Sequence, residues 1–88
     1  MRKRQSFHVL LDLNLDALLT VLRPMRDVGL VPCKFSIRQQ RDAISLSADI
    51  DHLDDAPALA LVGAILRLQH VRAATVETRC LAMDDDHA

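Results

Sequence analysis

The residues with chemical potential in this chain gather in three places. The first is Asp12-Leu13-Asn14-Leu15-Asp16, where an apolar stretch gives way to alternating acid and amide. Backbone amides at a helix N-terminus suit a carboxylate ligand, and an Asn at the same place is equally a simple N-cap. The second is Asp51, His52, Asp54 and Asp55. A cation there would need those side chains to converge and to be braced by further partners. A solvated acidic helix start accounts for the same residues through the helix dipole. The third is the pair Cys33 and Cys80, which has no metal-type spacing and reads as two free thiols. His8 and His70 stand isolated and read as surface or strand-end residues. No nucleophile–base pair, glycine-rich phosphate loop or Cys-x-x-Cys is present, so neither a catalytic set nor a metal site is expected.

The elements that must position these residues follow from the period of the apolar runs. Phe7, Val9, Leu11 and Leu13 alternate as in a strand. Asn14 then caps a helix, Asp16 suits its first turn, and Leu18, Val21, Leu22 and Met25 recur on one helical face. Gly29 stops that helix as a left-handed cap. Pro24 sits inside it and predicts a kink or tightening, because an interior proline removes a hydrogen bond and can cost ~3 kcal/mol.

A second strand spans about residues 30–38, with Cys33, Phe35 and Ile37 on one face. After a polar turn, Ile44, Leu46, Ala48 and Ile50 alternate with Ser45, Ser47 and Asp49 in a third. Helix two follows, with Pro57 in its first turn and Leu59, Val62, Ile65 and Leu66 as the buried stripe. Gln69-His70 ends it, and residues 71–80 form the last strand.

The order β-α-β-β-α-β is the split βαβ or ferredoxin-like plan, an α+β fold. Right-handed crossovers give a four-stranded antiparallel sheet of order 4-1-3-2 with both helices on one face. Cys33 and Cys80 then fall on opposite edge strands, too far apart to bridge. Residues 1–5 read as a basic tail, 6–80 as the domain and 81–88 as an acidic tail. Leu10, Val31 and Ala74 are expected on the open sheet face, where they suit a subunit contact.

The bulk numbers narrow the function. At 88 residues the chain is one domain with a thin core. Half of it is apolar, yet Phe7 and Phe35 are its only aromatics, so a homodimer through a sheet edge or face is expected. Eleven basic against twelve acidic residues argue against nucleic acid, and so few aromatics leave no base-stacking platform. Met1-Arg2-Lys3-Arg4 starts like a signal peptide, but Asp12, Asn14 and Asp16 interrupt the apolar stretch and no small-residue cleavage site follows. No run reaches transmembrane length. A cytoplasmic protein that does not engage membranes is expected.

The corner and its sequel resemble an ACT domain. The resemblance rests on Asn14-Leu15-Asp16-Ala17-Leu18, Val21-Leu22-Arg23, and the run from Arg26 through Gly29 to Cys33. The ending from Leu68 through Val71 to Val76 completes it. Within that family the chain is most similar to the short, single-domain regulatory small subunits of acetohydroxyacid (acetolactate) synthase. The resemblance implies a non-catalytic subunit that binds and activates the large catalytic subunit in branched-chain amino-acid biosynthesis. Thiamine diphosphate, Mg²⁺ and FAD would belong to that partner, and this chain would bind no cofactor.

Asn14, Leu15 and Asp16 would be the effector corner, vestigial or altered, and Gly29 the structural turn. The family's amino-acid binders usually carry a glycine in the first loop, whereas Asp16 here would repel a ligand's carboxylate, and Leu15 replaces the usual proline. A valine-insensitive type is therefore expected. The alternative is a free-standing sensor that binds an amino acid at a homodimer interface.

Overall fold

In the computed structural model, which describes residues 2–81, the elements run β1 (Arg2–Asp12), α1 (Leu15–Asp27), β2 (Lys34–Gln40), β3 (Ala43–Asp51), α2 (Asp55–Leu66) and β4 (Val71–Leu81). They form one four-stranded sheet of order β2-β3-β1-β4, the expected 4-1-3-2 read from the other edge. All three pairings are antiparallel. This is the ferredoxin-like plan.

Alternation dictates what the sheet buries. Phe7, Val9 and Leu11 pair with Ala48, Leu46 and Ile44, so these six side chains share the helix-covered face and are all buried. Ala17, Val21 and Met25 from α1 and Ala58, Leu61 and Ile65 from α2 close over them. The α2 stripe is therefore rotated from the expected one: Leu59 and Leu66 are exposed and Val62 is only partly buried. The helix reads Ala-Pro-Ala-Leu-Ala-Leu-Val over most of its surface, so its pattern does not fix which side faces in.

Helix α1 runs through Pro24 and ends one turn later. Its exit is a Schellman motif. The Leu30 N–H donates to the Met25 carbonyl (3.1 Å) and the Gly29 N–H to that of Arg26 (3.0 Å), with Gly29 at φ +72°. That exit absorbs Leu30, and Pro32 has no N–H for a ladder, so β2 begins at Lys34 rather than at residue 30. Val31 and Cys33 lie in the link before it. The Cys33 N–H still reaches the Asp49 carbonyl at 2.8 Å.

Four further expectations change. Arg2 to Gln5 continue β1 instead of forming a tail, because each has a register partner in β4 and, from Arg4 on, one in β3 too. Arg4 Nε holds Asp51 Oδ1 at 2.7 Å across that pairing. Ala74 is buried on the helix side, not on the open face. A register shift between Leu10 and Leu11 leaves Arg72 as the extra residue, so Val71 pairs with Leu11 while Ala74 pairs with Val9. Of the expected acidic tail, Leu81 belongs to β4 and the rest lies outside the described residues. Helix two ends at Leu66, short of Gln69.

Candidate functional site

The corner between β1 and α1 is built by capping. Asn14 adopts extended backbone angles (φ −154°, ψ 125°) and its Oδ1 accepts from the Asp16 N–H at 2.8 Å. The Leu18 N–H donates to the Asn14 carbonyl at 3.2 Å. Thr20 Oγ1 donates to the Asp16 carbonyl at 2.7 Å. Asn14, Leu15 and Asp16 are thus brought together, and all three are exposed, Leu15 by 69%. Gly29 is not with them: it sits beyond the far end of a 13-residue helix, about 20 Å away. Chemically, the cap occupies the Asp16 amide, and Asp16 sets a carboxylate at the helix's positive end, where an anion would meet it.

Beneath the corner lies a charge cluster that connects three turns. Arg72 Nε donates to Asp12 Oδ1 at 2.7 Å, and its other nitrogens reach Asp42 Oδ1 (3.5 Å) and the Asp42 carbonyl (3.2 Å). His70 Nδ1 is 3.2 Å from Asp12 Oδ2, and the Asp12 N–H donates to the His70 carbonyl at 2.8 Å. His70 is therefore engaged, and it reaches Asp12 from a left-handed backbone (φ 72°). The Arg72 hydrogen bond, aided by that from His70, holds the Asp12 carboxyl below its ordinary pKa. Arg72 is the residue that the β4 register shift sets apart, which leaves it aimed along the end of the sheet.

At the opposite end of the sheet the acidic group 51–55 is dispersed. Asp51 pairs with Arg4. Asp55 accepts from Gln5 Nε2 at 2.9 Å and lies 3.7 Å from Lys3 Nζ. Gln5 also donates to the Leu53 carbonyl (2.9 Å), and its Oε1 accepts from Thr78 Oγ1 (2.8 Å). These bonds, Gln5's first, hold Asp55 below the ordinary carboxylate range. Among the described residues no group of three or more His, Cys, Asp or Glu side chains is placed to hold a metal ion. Gln5, fully buried and fully partnered, went unrecognised in the sequence; its partners lie about fifty and seventy residues away.

Two apolar surfaces complete the picture. A cleft of about 450 Å³ opens between the end of α1 and the start of α2, lined by Pro24, Val28, Leu30, Leu53, Pro57 and Leu61 among others. Every residue of β2 is exposed. Phe35 and Ile37 pair with Ala48 and Leu46 and so point to the helix side, yet they remain 45% and 46% exposed, and a concavity is left between Phe35 and Leu22, Met25 and Arg26 of α1. No helix among the described residues is long and apolar enough to cross a membrane.

No protein-family model matches the chain, and no curated protein resembles it in sequence. Solved structures do resemble it in shape. The ACT domain of a GTP pyrophosphokinase from Chlorobium tepidum matches with a TM-score of 0.72 and 6% identity, over 88% of this chain and all of that one. The C-terminal domain of the MgtC protein from Mycobacterium tuberculosis matches at 0.69 and 14%, over 88% and 87%. The de novo designed protein Foldit4 matches at 0.61 and 15%, over 93% and 100%. At such identities the likeness is one of fold, and the fold is ACT-like.

Proposed function

We propose that this chain is a non-catalytic regulatory module of ACT type, acting as the small subunit that binds and activates the catalytic subunit of acetolactate synthase. The observation that carries the regulatory reading is the uncovered β2 strand on an ACT-like sheet. An edge strand presents unpaired N–H and C=O groups, and Phe35 and Ile37 add apolar area beside them. Pairing of that edge with a second copy would continue the sheet and cover both side chains. Such an arrangement is suited to holding a partner's conformation rather than to doing chemistry. A subunit that prefers the active conformer of its partner shifts the population toward it by its difference in affinity for the two states.

The assignment to acetolactate synthase rests on the resemblance of the segments 14–18, 21–23, 26–33 and 68–76. Thiamine diphosphate, Mg²⁺ and FAD would then be held by the large subunit. The self-satisfied corner at Asn14 and Asp16 supports insensitivity to valine, since an incoming carboxylate would meet the Asp16 carboxylate.

The test is acetolactate formation by the same organism's large subunit, with and without this chain and with and without valine. Activation that valine leaves intact is the expected result. Activation abolished by valine would keep the subunit assignment and overturn the reading of Asp16. Neither activation nor a complex would overturn the assignment in favour of a free-standing sensor, in which an amino acid would bind at a homodimer interface.

A further inference from the structure

Helix α2 carries no polar side chain between Asp55 and Arg67: every residue from Ala56 to Leu66 is apolar. A helix that is apolar on every side is ordinarily buried on every side. Here only one side is covered. Ala58, Leu61 and Ile65 turn onto the sheet, and the helical period sets Ala56, Ala60 and Gly63 on the opposite side, with Leu59 and Leu66 beside them. Leu59 is 63% exposed and Leu66 50%. The helix rests on β4 and β1, so this outer face lies away from the β2 edge.

The charges at the two ends of this face indicate what covers it. Asp54 is the N-cap residue, yet its exposed side chain makes no cap hydrogen bond. Arg67, the C-cap residue, is exposed too. Neither side chain has an ion-pair or hydrogen-bond partner among the described residues. The length of the helix, about 20 Å from one to the other, keeps them from meeting within one chain. An antiparallel copy of the same helix brings Arg67 of each chain to Asp54 of the other. Gly63 points the same way. A glycine inside a helix weakens it relative to alanine, and no neighbour within this chain requires one here, since a Cβ would meet nothing within 4 Å. Its absence leaves room for a second backbone to come close from outside.

We infer that the outer face of α2 is a self-association surface, on which a second copy of this chain docks its own α2 antiparallel. A two-fold axis through the middle of the helix makes each contact twice. Leu59 lies against Leu66 of the partner subunit, the small residues between them let the helices approach, and Arg67 pairs with Asp54 of the partner subunit. One helix pair covers less than the ~800 Å² per partner of a standard interface, so the dimer is a reversible one. It needs neither the β2 edge nor a catalytic partner, so its failure would leave the proposed function untouched.

The test is sedimentation equilibrium over a concentration series reaching the millimolar range. The full 88-residue chain carries Phe35→Ser and Ile37→Ser, which isolate this surface from the β2 edge. That chain should still dimerise. Adding Leu59→Gln and Leu66→Gln together should weaken the dimer about tenfold or more, by removing its apolar contacts. Asp54→Lys alone and Arg67→Glu alone should each weaken it about threefold or more, by opposing like charges at both ends, and the two together should restore it. These charge reversals fall on exposed residues, so they test the surface even where a leucine variant unfolds; circular dichroism reports which variants are folded. A chain that stays monomeric throughout, a dimer indifferent to the folded leucine variant, or charge reversals whose effects add instead of cancelling would each overturn the inference.

Discussion

Asp12 and Arg72 stand 60 residues apart in the chain and 2.7 Å apart in space, joining the exit of β1 to the entry of β4. The bond lowers the pKa of Asp12, so the folded state favours the ionised carboxylate. The sign follows directly. A depressed carboxyl pKa contributes stability that is present above the unfolded carboxyl's pKa and is lost as pH falls through the folded one. Stability should fall as pH drops below the ordinary carboxylate range. Asp12→Asn should flatten that fall, because the group that takes up the proton is gone. Denaturant midpoints of both proteins at pH 7 and pH 3 measure it, and identical acid losses would contradict this account.

Gly29 gives a cleaner test of backbone energetics. Its φ of +72° lies in the left-handed region, and nothing stands within 4 Å of where a Cβ would go. Gly29→Ala should therefore cost about 1–2 kcal/mol from backbone strain alone. Gly29→Asn should cost less, since Asn tolerates this conformation better. Equal losses for the two variants, read from denaturant unfolding, would point to a cause other than the dihedral angle.

Gln5 ties four segments together from a fully buried position. Truncation to Ala would leave the Leu53 carbonyl, the Asp55 carboxylate and the Thr78 hydroxyl each short of a partner. A loss of about 1–3 kcal/mol is expected, mainly from groups left unsatisfied. Thermal or chemical unfolding reads it. A loss below ~0.5 kcal/mol would mean that water replaces the amide without difficulty.

The β2 surface should behave in the opposite way. Phe35→Ser and Ile37→Ser remove half-exposed side chains, so unfolding of the monomer should shift by only about 1 kcal/mol for each. The self-association and subunit binding proposed for this edge should weaken sharply. Sedimentation of wild type and the double variant separates the two effects. Unchanged association would move the interface away from β2.

How far the fold could be read in advance depended on how local its causes are. Ile44, Leu46, Ala48 and Ile50 alternate against serines and an aspartate, and all four are buried as that pattern requires. Asn14 and Gly29 act within a few residues of themselves, and both helix ends form as their types dictate. Helix α2 is apolar on most sides, so only the sheet beneath it decides that Leu61 turns in and Leu59 out. The placement of Ala74 depends on one extra residue at Arg72, which no spacing rule signals. Arg4 and Gln5 look like tail residues because everything that holds them arrives about fifty to seventy-five residues later. The candidate corner was legible as a cap; the cluster of Asp12, Asp42, His70 and Arg72 beside it was not, being assembled from three distant turns.

Of the four strands of the sheet, β1 precedes the others in the chain and is one of the two inner strands, flanked by β3 and β4. A nascent chain emerging N-terminus first therefore carries Phe7, Val9 and Leu11 uncovered until residues 43–51 are out, and the sheet stays incomplete until β4 follows. Every stopping point short of the last strand leaves a ladder half made. The domain has no foldable beginning: until β4 is made, the unfinished chain carries unpaired strand edges that invite wrong pairing.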